Sequence, residues 1–306
     1  MKVIQRPVKT LQTALLSDSK DLIKLYRKYT DQERQLLEEG FKAGQQGCLF
    51  QLITVHSDSD WIPAHPEEPQ DFRSFWRDPH RTSPDPAHNT IYIQTIGDLL
   101  QFLAHRKPKD AFCIVGITMI DLYPKESWNF VFGQASLSMG MGVFSFARYD
   151  NHFYSRNYTG RLSKSLQPKK GDYSVFDGYY TPPICSSLLL RSCKTMTHEI
   201  GHMFGIRHCQ WLSCVMQGSN HLEESDRRPL DFCPICLRKL QVSVGFNIAD
   251  RYKALLQWLE DDHGPTRTPD GASYTSSQVS LHYPKPTEAF HDYKLWLQRC
   301  LEILEK

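Results

Sequence analysis

Alternating and continuous apolar runs along the chain predict a β-sheet. Five segments have the length and apolar content of strands: residues 48–55, 90–96, 112–120, 128–132 and 143–146. The third is almost continuously apolar, as expected of a strand covered on both faces. The glycines between the last two strands do not complete a GxGxxG pattern, so they indicate a turn and no nucleotide site.

Apolar residues at helical spacing predict helices at both ends of the chain and beside the sheet. These helices fall at residues 21–26, 98–105, 249–261 and 287–304. Thr30 and Glu33 have the spacing of a capping box, so another helix begins there. We expect the amphipathic last helix to dock on the body, with recruitment of a partner as the alternative.

Prolines interrupt the chain between residues 57 and 88 and exclude long regular elements there. Four aromatic residues in this stretch favour a segment packed on the body over a mobile linker: Trp61, Phe72, Phe75 and Trp76. We therefore expect three parts. Residues 1–89 form a helical and proline-rich segment, 90–261 the main domain, and 262–306 a polar linker with a final helix.

Residues 198–208 read HExxHxxGxxH. On a helix, His198 and His202 project from the same face and can share one metal ion, with Glu199 beside them as a general base. A turn at Gly205 would return His208 as a third imidazole. Three neutral imidazoles and a water form the open zinc site of a hydrolase. This spacing is too specific for three unrelated histidines on an ordinary helix.

The helix carrying these histidines is predicted to be central and buried. It is apolar on most sides, through leucines, methionines and an isoleucine between residues 188 and 203. Ser186 or Ser187 could cap its start.

Four cysteines follow the last histidine: Cys209, Cys214, Cys233 and Cys236. The last two form a CxxC pair, a spacing that lets two thiolates bind one ion. Four thiolates without a histidine favour a closed, structural zinc, and four reduced buried cysteines are the alternative. A thioredoxin-like redox role is disfavoured, because no suitable strand precedes the pair.

Met216 lies between these cysteines, soon after the third histidine. On spacing alone it could be an ordinary core residue. By analogy with the Met-turn, the complete upstream motif favours a hydrophobic floor beneath the zinc site.

The composition limits which binding partners and which cellular compartment we expect for this chain. A net charge of +2 provides no field that would recruit nucleic acid or an anionic membrane. The first residues lack the apolar core of a secretory signal, and no apolar run is long enough to span a bilayer. Nine cysteines, an odd number, argue against a disulfide framework. We expect an intracellular monomer, cytoplasmic and also nuclear, without nucleic-acid or membrane partners.

The sequence resembles the archaemetzincin family in several separate motifs. These are HEIGHMFGIRHC at residues 198–209, Cys214, Met216 and CPIC at 233–236, with SWNFVFGQA at 127–135, FSFARY at 144–149 and LLLRSCK at 188–194. The resemblance extends over nearly the whole chain and is strongest over residues 110–261.

The resemblance implies a metzincin-like α/β fold, with a twisted mixed sheet over the zinc-binding helix. It implies two zinc ions: a catalytic one at His198, His202 and His208, and a structural one at the four cysteines. It also implies an intracellular peptidase that acts on peptide or protein substrates, including aminopeptidase action on small peptides.

In one respect the chain departs from that family. Gly97 is followed almost directly by the helix before Pro108, where family members have a longer stretch. That stretch should hold one helix and one strand, so we expect a shortened form whose sheet lacks them.

Two functions follow from these observations. The first is a zinc-dependent peptidase in which Glu199 takes the proton of the zinc-bound water. The substrate would add to a sheet edge, for which the weak candidates are Asn129, Phe130, Val131, Phe132 and Gly133. The second is a zinc-organised interaction protein with little or no turnover, because of the shortened fold. Glu199 favours the first, since a binding module needs no acid or base beside its metal.

Overall fold

The computed structural model describes residues 1–95, 103, 107–122, 131–136, 140–155, 183–261 and 286–306. Its main sheet has four strands in the order β3-β4-β6-β5. These are β3 (Thr90–Thr95), β4 (Ala111–Thr118), β5 (Gly133–Ser136) and β6 (Met141–Ser145). β3, β4 and β6 are parallel, and β5 pairs with β6 in the antiparallel direction. A separate antiparallel pair joins β1 (Lys2–Ile4) to β2 (Ile53–Val55).

Ten α-helices lie within the described residues. They are α1 (Val8–Leu16), α2 (Lys20–Tyr26), α3 (Asp31–Glu38), α4 (Trp61–Ala64), α5 (Phe72–Arg77), α6 (Ser186–Met203), α7 (Leu222–Arg227), α8 (Pro234–Val244), α9 (Ile248–Glu260) and α10 (His291–Leu304). Short 3₁₀ turns occur at Glu39–Lys42, Ala147–Tyr149 and Glu288–Phe290. The mixture of helices and a mixed sheet confirms the predicted α/β class. None of the described helices has the length and apolar character needed to cross a membrane.

α6 packs on one face of the main sheet. Met203, at its end, contacts a buried cluster that contains Val115 of β4 and Phe144 of β6. The larger core lies on the other side of α6, where α1, α2, α3, α5, α8, α9 and α10 bury their apolar faces together. The helix is therefore enclosed between two cores.

The proline-rich stretch packs on this body. Phe72 and Phe75 of α5 are fully buried in the larger core, and Trp76 packs against it. The last helix also packs there, since Leu297 and Cys300 are buried. The indole N–H of Trp296 donates to the carbonyl of Leu49 at 2.9 Å.

The capping box was predicted correctly. The Thr30 hydroxyl accepts from the Glu33 N–H, and the Glu33 carboxylate accepts from the Thr30 N–H. The strands predicted over 90–96, 112–120 and 143–146 correspond to β3, β4 and β6. The helices over 249–261 and 287–304 correspond to α9 and α10.

Three local predictions were wrong. Only Ile53–Val55 of the 48–55 segment is a strand, because the carbonyl of Gln51 binds the Ser213 N–H instead of a ladder partner. In 128–132, Val131 forms an isolated bridge with Leu122, and the strand starts at Gly133. The N-cap of α6 is Cys185, and neither serine caps the helix with its side chain.

Parts of some predictions lie outside the described residues. These parts are residues 128–130 of the fourth predicted strand, most of the helix at 98–105, and the linker from 262 to 285.

Candidate active site and cysteine cluster

A tight turn after α6 brings the third histidine back to the first two. α6 ends at Met203, and Gly205 has a φ of 84°, a left-handed conformation that favours glycine. The chain of the proline-rich segment also approaches this point. A Cβ atom on Gly205 would lie 2.8 Å from the Cα of Arg81. Glycine is therefore required here both by conformation and by space.

The turn places His198, His202 and His208 together, with their candidate ligand atoms all within 4.8 Å of one another. The Nε2 atoms of His198 and His202 are 3.0 Å apart. Nδ1 of His198 is 2.8 Å from the carbonyl of Val215, and Nδ1 of His202 is 2.6 Å from that of Ile206. Because a carbonyl can only accept, both Nδ1 atoms carry the proton and both Nε2 atoms are left for a metal.

His208 is oriented by a side chain instead. Its Nδ1–H donates to both oxygens of the Glu67 carboxylate, at 2.9 and 3.1 Å. Burial raises the pKa of Glu67, but the hydrogen bond and charge of His208, the hydrogen bond from Trp61 and the charge of His202 together outweigh it and hold the pKa below its usual value. The carboxylate is therefore an ionised acceptor at neutral pH.

Burial sets the charge state of the helical pair. Desolvation and the neighbouring His202 hold the pKa of His198 well below its usual value. Desolvation, with the charge of His208, lowers the pKa of His202 to about 3. Both rings are neutral at physiological pH, which is the form that binds metal. Nitrogen donors of this kind, neutral and convergent, fit a zinc ion.

Glu199 lies beside these histidines on the wall of a cleft. Desolvation raises its pKa to about 7, while the nearby charge of Arg228 opposes this shift. The cleft has a volume of about 640 Å³. It is lined on one side by Val131, Phe132 and Gly133 of the predicted substrate edge. Asn129 and Phe130, the other two predicted edge residues, lie outside the described residues.

Met216 lies fully buried beneath α6. A Cβ atom on Gly201 would be 2.5 Å from the sulfur of Met216, so the methionine packs on the helix turn between His198 and His202. The carbonyl of Met216 accepts from the N–H of Cys209 at 2.8 Å. One residue thus connects the histidine site to the cysteine cluster.

The four predicted cysteines form a second cluster. Cys209, Cys214, Cys233 and Cys236 are all buried, and their Sγ atoms lie within 4.8 Å of one another. The Sγ atoms of Cys209 and Cys233 are 3.6 Å apart, too far for a disulfide. Four convergent thiols without other donors fit a closed, structural zinc site.

Backbone N–H groups support this cluster. Sγ of Cys214 accepts from the N–H of Met216 at 3.4 Å and from that of Cys233 at 3.2 Å. Cys233 is the N-cap of α8 and Cys236 lies in its first turn, where the helix dipole favours a thiolate.

A third group of potential ligands, Asp60, His221 and Glu224, has its acceptors already in use. Asp60 accepts from the guanidinium of Arg227 at 2.6 Å, and Glu224 accepts from the N–H of Trp61 at 2.8 Å. We regard this group as a network that fixes the start of α4 beside the cleft.

Several residues at the site were not found by sequence reasoning. Trp61 and His65 line the cleft with Tyr149 and Arg228, and Glu67 contacts His208. Trp61, an aromatic residue in a proline-rich stretch, carried a sequence signal, but that signal predicted packing of the stretch on the body and not a place at the site. No local pattern points to Glu67.

The chain is similar in sequence to a family of peptidases and to two kinds of archaemetzincin. The model of peptidase family M54 matches residues 171–242, which contain all three histidines and all four cysteines. Archaemetzincin-2 of Homo sapiens is 47% identical over 364 aligned positions, covering 100% of both chains. Archaemetzincin-1 of Rattus norvegicus is 27% identical and covers 97% of this chain and 82% of its own.

Two solved structures are also similar. A zinc-dependent peptidase from Methanocorpusculum labreanum is 28% identical, covers 47% of this chain and 62% of its own, and has a TM-score of 0.31. Archaemetzincin from Methanopyrus kandleri is 23% identical, covers 52% and 97%, and has a TM-score of 0.33.

The match to peptidase family M54 and the full-length similarity to archaemetzincin-2 define a zinc metallopeptidase. The chain belongs to the archaemetzincin family, as the full-length identity to archaemetzincin-2 shows. An alignment of 364 positions is longer than the 306 residues of this chain. The relative therefore has residues that this chain lacks, in agreement with a shortened form.

Proposed function

We propose that this chain hydrolyses peptide bonds at the cleft containing His198, His202 and His208, with Glu199 as the general base. The observation that carries the proposal is the convergence of three metal-binding nitrogens beside a half-buried carboxylate, Glu199, in one open cleft. A binding module would gain nothing from an acid or base at this position.

Zinc bound by the three histidines supplies Lewis acidity, which lowers the pKa of a water molecule and polarises a carbonyl group. The chain's own residues do the rest. The Glu199 carboxylate takes a proton from water and gives it to the leaving amine. The Val215 and Ile206 carbonyls and the Glu67 carboxylate keep the three imidazoles in one orientation.

The edge of β5 is proposed to hold the substrate backbone. Val131, Phe132 and Gly133 line the cleft, and β5 has β6 on one side only within the described sheet. An extended peptide can add a strand to such an edge through main-chain hydrogen bonds. Side chains across the cleft, including Trp61 and His65, would then contact the substrate's side chains.

We further propose that the substrates are short peptides and that the enzyme acts as an aminopeptidase. A cleft of about 640 Å³ is in the size range of sites for small ligands, which supports a short substrate. Rates on single-residue amides and on internally quenched longer peptides would separate the two modes. Faster cleavage of the longer peptides would contradict this part.

The four cysteines are proposed to hold a second, structural zinc. All nine cysteines are free, and four thiols that serve as ligands must stay reduced. We therefore propose a reducing, intracellular compartment, which fractionation of cells expressing the chain would test.

The proposed function is tested by metal analysis and peptide cleavage on the natural chain and on Glu199→Ala. We expect two zinc ions in both proteins, and cleavage by the natural chain that falls about 10²–10⁴-fold in the variant. Glu223→Ala is a matched control, because Glu223 is an exposed carboxylate on α7. A zinc-loaded, folded natural chain that cleaves nothing in a broad peptide library would instead support a zinc-organised interaction protein.

A further inference from the structure

The three histidines of the site do not share the same kind of support. The partners of His198 and His202 are backbone carbonyls, at Val215 and Ile206, which follow α6 closely in the chain. The partner of His208 is the side chain of Glu67, 141 residues earlier in the sequence. The third nitrogen donor therefore depends on a distant segment.

We propose that Glu67 is a positioning residue that fixes His208 as the third zinc ligand, so that the proline-rich segment controls the metal affinity of the histidine site. The inference rests on the proposed function, in which these histidines hold zinc. A carboxylate that accepts from the Nδ1–H of a ligating histidine fixes the tautomer, orients the ring and increases the basicity of Nε2.

Besides His208, two other residues hold Glu67 in place. The indole N–H of Trp61 donates to its Oε1 at 3.2 Å, and the side-chain amide of Gln210 donates to its backbone carbonyl at 2.7 Å. The Trp61 ring also contacts the His208 ring edge to face, with centroids 4.7 Å apart. The carboxylate is thus part of a built contact and is not a free surface charge.

The same segment binds the turn between the second and third histidines. Gln70 is buried, and its amide donates to the carbonyl of Gly205 at 3.0 Å while accepting from the N–H of Arg207 at 3.1 Å. The hydroxyl of Thr82 donates to the carbonyl of Met203. The segment therefore holds both the ring of His208 and the backbone that delivers it.

The test measures metal binding without using activity. The full chain and the variants Glu67→Ala and Glu67→Gln are loaded with zinc or cobalt, and each site is titrated with a competing chelator. Cobalt bound by four thiolates and cobalt bound by imidazoles absorb differently, so the two sites are followed separately. Glu68→Ala is the matched control, because Glu68 is an adjacent, exposed glutamate.

We expect Glu67→Ala to weaken metal binding at the histidine site about 10–100-fold and leave the thiolate site unchanged. Glu67→Gln should retain most of the affinity, since its amide oxygen can still accept from Nδ1. An unchanged thiolate site also shows that the variant is folded.

Two results would overturn the inference alone. One is an affinity of Glu67→Ala at the histidine site within about twofold of the Glu68→Ala control. The other is a loss in Glu67→Gln as large as that in Glu67→Ala, because the amide oxygen can still accept from Nδ1. A natural chain that binds metal only at the thiolate site would overturn the proposed function itself, and the inference with it.

Discussion

The sulfur of Met216 occupies the space that a side chain on Gly201 would need. A Cβ atom there would lie 2.5 Å from Sδ and 3.0 Å from Cε of the methionine. Met216 can therefore pack directly against the HExxH helix because position 201, one of the unspecified positions of the motif, is glycine. We predict that Gly201→Ala lowers the free energy of unfolding of the zinc-loaded chain by about 1–3 kcal/mol through overpacking. Urea denaturation measures this change.

The double variant Gly201→Ala with Met216→Ala serves as the control for that prediction. Removing the methionine side chain makes room for the new methyl group, so the two costs should be less than additive. Strict additivity would show that the two residues do not share the contact.

Loss of one thiol from the cysteine cluster should have a larger effect. We predict that Cys236→Ser releases the structural zinc and lowers the free energy of unfolding by more than about 4 kcal/mol, because metal binding there is coupled to folding. Cys185→Ser, at an exposed cysteine outside the cluster, is the matched control. Zinc content and calorimetry give the result. Equal stability of the two variants would argue against a metal at this cluster.

Asp60 predicts a pH dependence of stability. Burial raises the pKa of Asp60, but the His56 N–H and the Arg227 and His221 side chains outweigh it and lower the pKa. Since the folded pKa lies below that of the unfolded chain, the stabilisation is complete above about pH 4 and is lost as pH falls through the folded value. Asp60→Asn should therefore cost about 3–5 kcal/mol near neutral pH and progressively less below pH 4.

Asp58→Asn is the control for this effect, since Asp58 is exposed two residues away. Urea unfolding of both variants and the natural chain across this pH range measures the difference. A cost of Asp60→Asn that is independent of pH would contradict the assignment.

The outer strand β3 has an uncharged edge. Ile91 and Ile93 are 39% and 58% exposed, and none of residues 90–95 is charged or proline. Such edges favour association between chains. We predict that the chain, a monomer when dilute, associates as its concentration rises, and that Ile93→Lys reduces this association in analytical ultracentrifugation while changing stability by less than about 0.5 kcal/mol. Val3→Lys, at another exposed apolar strand residue, should have no such effect on association.

The sequence was most informative where ligands are close in the chain. His198, His202 and His208 are brought together by one helix and one turn, so their offsets alone predicted the convergence that the structure shows. The four cysteines span a longer stretch of the chain. Two of them are still brought together by local structure, because the CxxC pair lies at the start of α8, which begins at Pro234. Gly245, with a φ of 84°, marks the end of that unpredicted helix. Pro234 at the start of α8 and Gly245 at its end are both sequence signals for a helix, but the prediction for this stretch used the cysteine spacing alone.

Long-range contacts account for what the sequence did not predict. Glu67 meets His208 only through the tertiary fold, and no periodicity in a proline-rich stretch encodes that contact. Residues 48–52 are largely apolar because Leu49 and Phe50 fill the core. Their backbone groups bind α10 and the loop at Ser213 instead of a strand, which apolar content cannot distinguish.

The strand beside the cleft and the strand that precedes the expected shortening lie at opposite edges of the described main sheet. β5, at one margin, lines the cleft through Gly133, whereas β3 is the last described strand at the opposite margin. The stretch after Gly97 that we expect to be shortened follows β3 in the chain, and β4 and β6 separate β3 from β5 in the sheet. α6 contacts β5 and β6. A change in chain length at the β3 edge would therefore leave β5 and β6, the strands that contact α6, in place.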